Sequence, residues 1–336
     1  MTRGTRLAAG AALLVLGACV PLFVDNPVYL DLAVFMAYYM VLAGSWNLLA
    51  GFTGEYSFAH AALAAVGAYG AVLVQETLGA SPMASLPLAA LLTAAVGLLL
   101  GLFALRVRGV YLSLVTFAFA GAFAVMVSGA TSLTGGNNGH TSGFLFMGID
   151  KSPYVWLGLG IVALYFILQS LVLDSRWGLF AQAVRDNEQV AAGLGVQTVR
   201  VKLVAFVYTA FWAGLAGALY AGYVGLVSPS ISDLTEMGMI MSFVVVGGLG
   251  WRLGPILGVL VLQYISFQAR GIGAEYTLMI FAAVALAVIV FVPNGLAGAA
   301  TTALRRLRGG SRRWADETAA PSEPPAMRVL VRNKGD

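Results

Sequence analysis

Apolar runs of membrane-crossing length, separated by short polar breaks, make up most of the 336-residue chain. A helix of about 20 apolar residues crosses the hydrocarbon core of a bilayer. By this measure the sequence predicts ten spans, at residues 7–24, 28–50, 57–75, 83–105, 110–130, 153–173, 202–227, 233–249, 254–268 and 275–292. The predicted fold class is therefore an all-α polytopic integral membrane protein.

The positively charged residues predict the orientation of these spans. If the N-terminus is cytoplasmic, ten spans return the C-terminus to the same side and leave only Lys151 and Arg270 outside. The cytoplasmic side then carries Arg3, Arg6, Arg106, Arg108, Arg176, Arg185, Arg200, Lys202 and Arg252. This distribution satisfies the positive-inside rule. It also favours two spans within 233–268, because a single span there would place the arginines of 305–313 outside.

The two ends of the chain differ from the rest. Residues 305–336 are polar, charged and contain proline, so they are predicted to form a disordered cytoplasmic tail that can contact anionic lipid. Residues 1–304 are the predicted transmembrane domain. The stretch before Cys19 loosely resembles a bacterial lipoprotein cleavage site. An uncleaved first span is favoured, because the apolar run continues to Val24.

Composition narrows the possible functions. Only 10% of the residues are charged and 60% are hydrophobic, against about 25% charged in a soluble domain. One cysteine and two histidines make a metal site improbable. The chain contains no phosphate-binding G-x-x-x-x-G-K-[ST] loop, no G-x-S-x-G and no H-E-x-x-H, so no enzymatic activity and no bound cofactor are expected. If ATP drives this protein, another chain binds it.

The acidic residues bear on a second function class, an ion-coupled secondary carrier. Such carriers usually need carboxylates inside the membrane. Asp31, Glu76, Glu236 and Glu275 all fall near the ends of predicted spans. The sequence therefore favours a permease powered by another component over an ion-coupled carrier, and over a membrane enzyme or a structural scaffold.

Small residues recur at helical spacing in the seventh predicted span. One row contains Ala213, Gly217, Ala221 and Gly225, and an adjacent row contains Gly214, Ala218 and Gly222. Small residues let helix backbones approach closely in lipid, where no hydrophobic force drives association. Gly97 and Gly101 repeat the spacing in the fourth span. The pattern predicts a tight helix contact but leaves open whether the partner is this chain or another subunit.

Residues 174–202 form the longest polar segment before the tail. Arg185, Asp186 and Glu188 give this segment a polar surface, while Ala191 and Gly195 permit a sharp turn and close approach by a partner. This composition is typical of a docking element. A solvated loop that merely joins two helices is the alternative.

A second polar stretch interrupts the apolar pattern between the second and third spans. Thr53, Gly54, Glu55, Ser57 and His60 lie there among small residues. Irregular backbone at membrane depth is tolerated only where protein or a water-filled cavity covers its polar groups. We interpret these five residues as a candidate translocation path, either lining it or bracing the break. The alternative is a plain cytoplasmic turn, with Glu55 in water and His60 as a packing residue.

Several short motifs are specific when their order and spacing are taken together. They are GFTGEYSFAHAALAAVGAYGA at 51–71, RGVYLSLVTFAFA at 108–120, TGGNNG at 134–139, SRWGLFAQAVRDNEQVAAGLGV at 175–196, AFWAGLAGALYAGYVGLVSP at 210–229, VVVGGLGWRLGPILG at 244–258 and VPNGLAG at 292–298. Through them the chain resembles, over about residues 44–298, the inner-membrane permease subunits of bacterial ABC importers for branched-chain amino acids.

The resemblance implies a role for the polar segment. Residues 176–196 would sit in a groove of an ATPase subunit and transmit its closure on ATP. Glu188, Ala191 and Gly195 resemble the Glu-Ala-Ala…Gly loop of ABC importers, one residue longer from Glu to Gly. Leu179 and Gln182 stand where relatives often carry arginine, which puts the usual charge pairing in doubt at those points. Relatives often have glutamine in place of Glu55, which argues against an indispensable chemical role there.

The resemblance also implies an assembly and a cargo. The partners would be a second homologous permease subunit, two ATP-binding subunits that hold ATP and Mg, an extracytoplasmic substrate-binding protein and membrane lipid, with no nucleic acid. The location would be the bacterial inner membrane and the cargo leucine, isoleucine and valine. Importers of urea and short amides have permeases with similar motifs, so those solutes remain the alternative cargo.

Overall fold

The structure is a computed structural model, and it describes residues 26–104, 109–146, 148, 150–271, 273–292 and 294–307. The predicted span 7–24, Cys19 and residues 308–336 of the predicted tail lie outside the described residues. Among the described residues, those up to Ala297 form one compact unit and those from Gly298 onward belong to a second. The predicted boundary at residue 304 stays a prediction.

The described residues are mostly helical. The helices are α1 (Pro27–Asn47), α2 (His60–Leu78), α3 (Pro82–Ala104), α4 (Val110–Gly129), α5 (Thr131–Thr134), α6 (Ser152–Asp174), α7 (Arg176–Asp186), α8 (Glu188–Gly193), α9 (Thr198–Val224), α10 (Leu234–Gly247), α11 (Gly254–Ala269), α12 (Ala274–Phe291) and α13 (Gly295–Leu307). A π-helix, Leu48–Phe52, continues α1, and 3-10 turns occupy Gly136–Asn138 and Pro229–Ser232. Two short strands, β1 (His140–Thr141) and β2 (Leu226–Val227), pair antiparallel with His140 opposite Val227.

Six of these helices are long and apolar enough to cross a membrane: α1 with its π-helical extension, α2, α3, α4, α6 and α9. A seventh crossing results when Tyr276–Phe291 and Gly295–Thr302 are counted together. Helices α10 and α11 are apolar but shorter. The structure thus supports an all-α polytopic membrane protein, while the count of ten spans and the orientation of the termini stay predictions.

Helix α9 lies at the centre of the bundle and packs against α1, α2 and α3. A side chain at Gly217 would collide with the carbonyl oxygen of Ala64 on α2, and one at Gly214 would collide with Thr93 on α3. In the same way, Gly97 of α3 faces Ala210. The small-residue rows of α9 therefore pack against this chain itself, against helices at Gly214 and Gly217 and against non-helical residues 144–145 at Gly222 and Gly225.

Helices α10 and α11 form an antiparallel pair joined by residues 248–253. A side chain at Gly258 would collide with the carbonyl oxygen of Phe243, and one at Gly247 with that of Gly254. These contacts bring the two backbones together at the ends next to the connecting loop. The structure therefore contains two helices within residues 233–269, as the predicted division of 233–268 into two elements requires.

Glu236 lies in the first turn of α10, near the end of its element as predicted, but this end is not at the surface of the bundle. Tyr39 Oη donates a hydrogen bond to Glu236 Oε2 at 2.9 Å. Tyr39 is at the middle of the candidate span Pro27–Phe52. Glu236 consequently lies beside the centre of a spanning helix, because α10 starts deep in the bundle rather than at its surface. Sequence position alone was a wrong guide to depth here, and the argument against an ion-coupled carrier from missing carboxylates does not hold.

Candidate functional site

The break between α1 and α2 is the structural centre of the candidate site. The π-helix Leu48–Phe52 widens the last turn of α1, and the chain then runs without helix from residue 54 to residue 59. Gly54 adopts φ +76°, in the left-handed region that glycine tolerates best. The predicted interruption is therefore present, and it frees backbone groups that a continuous helix would have paired.

Neighbouring side chains satisfy much of this freed backbone. Trp46 Nε1 donates to the carbonyl oxygen of Ser57 at 2.7 Å. From α4, Ser113 Oγ donates to the carbonyl oxygen of Tyr56 at 2.7 Å, and Thr116 Oγ1 accepts from the backbone N–H of Phe58 at 3.0 Å. These bonds hold residues 56–58 against α4, which braces the irregular chain in a defined shape.

The polar segment that follows α6 folds into two short helices beside the break. Their inner side buries Ala181, Val184 and Ala191 against Val201 of α9. The Asn187 side chain accepts from the backbone N–H groups of Gln189 and Val190, both at 3.0 Å, and so caps α8. Local capping and a small apolar face therefore fix α7 and α8 on the bundle.

Arg185 connects α7 to the break directly. Its Nη1 donates to the carbonyl oxygen of Gly51 at 3.0 Å, while its Nε and Nη2 bind Asp186 Oδ1 at 3.1 and 2.9 Å. Arg185 also packs against Gly54. Because the Gly51 carbonyl belongs to the widened last turn of the helix, this bond ties α7 to the point where α1 ends.

The loop between α10 and α11 contacts the same point. Asn47 Oδ1 accepts from the Gly250 backbone N–H at 2.8 Å, and Asn47 Nδ2 donates to the Trp251 carbonyl oxygen at 2.9 Å. A side chain on Gly51 would collide with the Gly250 backbone. Arg252 of this loop pairs with Asp174 at 2.5 Å, beside the start of α7. Three elements therefore converge on the end of α1.

Lys202 lies at the centre of this arrangement. Its Nζ is 2.5 Å from Glu55 Oε1 and 2.9 Å from Glu188 Oε2. The side chains of Lys202, Glu55 and Glu188 are 7%, 10% and 26% exposed. One buried cation thus joins the break to the first residue of α8. We call the contacts of Lys202, Arg185 and Asn47 with the break and its neighbours the junction.

The five path candidates take different places in the structure. Thr53, Glu55, Ser57 and His60 are buried, and Gly54 is partly exposed. Thr53 Oγ1 donates back to the Leu49 carbonyl oxygen at 2.5 Å. Since Glu55 pairs with Lys202, the alternative that placed it in water is wrong. Neither ring nitrogen of His60 has a hydrogen-bond partner within the described part of the chain.

The five coupling candidates divide between the inside and the surface of α7 and α8. Ala191 is buried, and Glu188 turns inward to Lys202. Arg185 reaches the break, while Asp186 is exposed beside it. Gly195 has φ +87°, and no atom lies within 4 Å of the position that its Cβ would occupy. The outward surface at Asp186 and Gly195 is therefore open to a partner.

Sequence reasoning missed two members of the junction. Lys202 counted only as a cytoplasmic charge, and Asn47 was one residue of an apolar span. The signal at Lys202 was a cation at the start of a long apolar run, since such a charge needs a partner when the helix packs. Its partners come from residues 147 and 14 positions away, which local pattern does not reveal.

The chemistry of the junction is that of ion pairs and hydrogen bonds. No group of three or more His, Cys, Asp or Glu side chains among the described residues is placed to hold a metal ion. A buried cation with two carboxylates can lock the relative positions of two elements. The arrangement suits transmission of movement between α8 and the interrupted helix.

The fold and the junction define a polytopic α-helical membrane protein with a polar segment anchored to an interrupted span, the architecture of a transport protein. The family profile described as branched-chain amino acid transport system, permease component, matches residues 28–293. The chain belongs to this family. It is a transport permease, and the family is not one of enzymes.

Individual relatives agree with this assignment. The chain is 30% identical over 314 residues to the high-affinity branched-chain amino acid transport system permease protein LivM of Salmonella typhimurium, covering 85% of this chain and 73% of the relative. The Escherichia coli K12 protein of the same name gives the same figures. A probable branched-chain amino acid transport permease protein LivH of Methanocaldococcus jannaschii is 24% identical over 281 residues, covering 76% and 87%. No solved structure matches the chain.

Proposed function

We propose that this chain is a permease subunit of an ATP-binding-cassette importer that moves branched-chain amino acids across a bacterial inner membrane. It works beside a second, similar permease, two ATPase subunits that hold ATP and Mg, and a substrate-binding protein on the outer side. Its own part is to open and close a path without changing the solute chemically.

The observation that carries this proposal is the junction. Asp186 at the end of α7 and Gly195 just after α8 lie on the outward surface. The two helices are tied inward through Arg185 to Gly51 and through Glu188 to Lys202, which also pairs with Glu55. A push on α7 and α8 from a docked ATPase is therefore delivered to the interrupted end of α1. Packed elements shift between discrete arrangements rather than deforming smoothly.

The relatives support the permease pair and the cargo. They include both LivM and LivH branched-chain amino acid permeases, among them the LivH protein of Escherichia coli K12, which is 26% identical over 161 residues. Two related permeases are what a paired membrane core requires. Urea and short amides stay the alternative cargo, since substrate choice in such an importer depends largely on the binding protein.

Transport by cells of the host tests the cargo. Uptake of labelled leucine should disappear when the gene is deleted and when ATP is depleted. Loss of urea uptake alone would support the importer assignment with urea as its substrate in place of leucine. Gene-dependent leucine uptake that survives ATP depletion would contradict the importer.

Co-purification tests the docking surface. The double change Asp186→Lys and Gly195→Trp alters the outward surface, and it should release the ATPase subunit from the purified complex. A matched control, Asp150→Lys, changes an exposed carboxylate on the opposite side in the predicted topology and should leave the ATPase bound. Retention of the ATPase by the double variant would contradict docking at α7 and α8.

A further inference from the structure

A second irregular segment, residues 225–233, enters the bundle from the side opposite the break after α1. After α9 the chain forms β2, a 3-10 turn at Pro229–Ser232 and then α10, so residues 225–233 contain no α-helix. The Ser142 backbone N–H donates to the Gly225 carbonyl oxygen at 2.9 Å, and the Gly143 N–H donates to Gln75 Oε1 near the end of α2. This segment therefore begins at the predicted outer end of the bundle.

From there it runs inward along α2. Tyr69 Oη donates to the Val227 carbonyl oxygen at 3.4 Å, and Ile231 packs in the same cluster as Ala65 and Ala68. Tyr69 is the central residue of α2, which spans residues 60–78. Residues 227–231 have thus descended to the middle of a membrane-length helix before α10 begins.

Asp233 lies at the bottom of this segment. It lines a cavity of about 130 Å³ together with Phe58, Phe117, Ala120, Gly121, Ala124, Ser232, Leu234 and Met237. Ala120 is at the middle of α4, which spans residues 110–129. Asp233 therefore follows a segment that lies beside the middle of α2, and it shares a cavity with the middle of α4.

The Asp233 carboxylate is exposed within this chain. Across the described ranges no side chain donates a hydrogen bond to it and no cation lies within 4 Å of it. A charge at the centre of a helix in lipid costs about 2.5 to 3.5 kcal/mol even on insertion scales. An exposed carboxylate at this depth therefore faces either a water-filled space or a polar partner, and not lipid.

The cavity is also where the two irregular segments meet. Phe58 comes from the break after α1, and Ser232 and Asp233 come from the segment before α10. Irregular backbone at membrane depth is tolerated where it is covered by protein or lines an aqueous cavity. Helix α4 forms one wall of the cavity. Only 17% of its apolar 18-residue stretch is buried within this chain, so its outward face is open to a second subunit.

The lining has a defined chemistry. Phe58, Phe117 and Met237 supply an apolar wall, and Asp233 supplies one negative charge. Glu236 lies one turn away, but its Oε2 accepts from Tyr39 and it does not line the cavity, so Asp233 is the acidic residue among the lining residues. A single carboxylate beside an apolar wall complements an ammonium group that carries a small apolar substituent.

We infer that the cavity at Asp233 is a transit site for the solute, where the carboxylate binds the α-ammonium group and Phe58, Phe117 and Met237 contact the apolar side chain. This inference rests on the proposed import of amino acids and assigns a place for the solute within this chain. The carboxylate offers the solute an ionic partner at the depth where water is scarcest.

The test uses the complete complex, reconstituted with its permease partner, ATPase subunits and binding protein. Asp233→Asn keeps the size of the side chain and removes its charge. We expect ATP-driven uptake of labelled L-leucine to fall about 10- to 100-fold, the loss of one charge-assisted hydrogen bond. ATP hydrolysis stimulated by the binding protein should persist, which a folding or docking defect would not allow.

Two further variants sharpen the result. Glu76→Gln removes a carboxylate from the outer end of α2, where Glu76 is 52% exposed, and should leave leucine uptake unchanged. Asp233→Glu should restore part of the uptake. If Asp233→Asn transports leucine as well as the wild type does, the inference is overturned while the importer stands. If the wild-type complex itself shows no ATP-driven leucine uptake, the proposed function fails, and this inference fails with it.

A thiol probe tests whether water and solute reach the cavity, even if Asp233 variants do not assemble. In a Cys19→Ser background the chain has no other cysteine, so Ala124→Cys introduces a single thiol in the cavity wall. A small cationic thiol reagent added from water should modify it, and leucine presented with binding protein and ATP should slow the modification. A thiol that the reagent never reaches would show a sealed subunit contact and overturn the inference.

Discussion

Replacing Lys202 with methionine removes the buried cation that joins Glu55 to Glu188 while keeping most of the side-chain volume. Lys202 is 7% exposed and lies 2.5 Å from Glu55 and 2.9 Å from Glu188. Without it Glu55, which is 10% exposed, is left as a buried charge with no cation beside it. Removing one partner of a buried ion pair typically costs about 3 to 5 kcal/mol. We expect Lys202→Met to lower the free energy of unfolding by about that amount.

A double-mutant cycle separates this cost from loss of packing. Glu55→Gln leaves Lys202 paired with Glu188, so its cost should be smaller. The combination of Glu55→Gln with Lys202→Met removes the stranded charge and should recover about 1 to 3 kcal/mol relative to the sum of the single changes. Denaturant titration of the purified protein in mixed micelles gives the four stabilities.

The chain offers a matched control in a second ion pair. Lys151 pairs with Asp31 at 2.6 Å, but the two side chains are 34% and 37% exposed. Half-exposed pairs contribute only about 0 to 1 kcal/mol because water screens them. Lys151→Met should therefore destabilise the protein far less than Lys202→Met does. Equal effects of the two changes, or a Lys202→Met variant as stable as the wild type, would refute the assignment of Lys202 as a buried bridge.

Three other changes test the packing and the break. Gly217→Val should prevent α9 from approaching Ala64 and lower the free energy of unfolding by about 3 kcal/mol or more, seen as a lower denaturant midpoint in the same titration. The matched change Gly160→Val, on the exposed surface of α6, should lower it by well under 1 kcal/mol. Asn47→Leu removes both bonds to the 250–251 backbone and should cost about 2 to 4 kcal/mol, with faster amide hydrogen exchange confined to residues 248–253. His60→Leu removes a buried imidazole that has no partner among the described residues, so stability should hold or rise by about 1 kcal/mol, and a loss of more than 1 kcal/mol would show an unseen partner.

Much of the architecture followed from local sequence alone. The bounds of α1, α4, α6 and α12 lie within one or two residues of the predicted spans, apart from the π-helical end of α1. The reason is that a run of about 20 apolar residues crosses lipid as a helix, which pairs its backbone groups internally. The break after residue 50 was readable from two glycines and a cluster of polar side chains, since few other residues tolerate the backbone that Gly54 adopts. The family was readable because its motifs are local and ordered along the chain.

The tertiary structure alone decided which charges meet and how deep they lie. Lys202 reads from sequence as a surface cation, and only the fold brings Glu55 and Glu188 to it. Glu236 reads as an end-of-span residue, yet the irregular chain before α10 brings it to Tyr39, at the middle of the candidate span Pro27–Phe52. Hydrophobic pattern reports how far a segment can extend through lipid. It does not report at what depth that segment begins or which distant side chain neutralises a buried charge, because both depend on contacts between elements far apart in the chain.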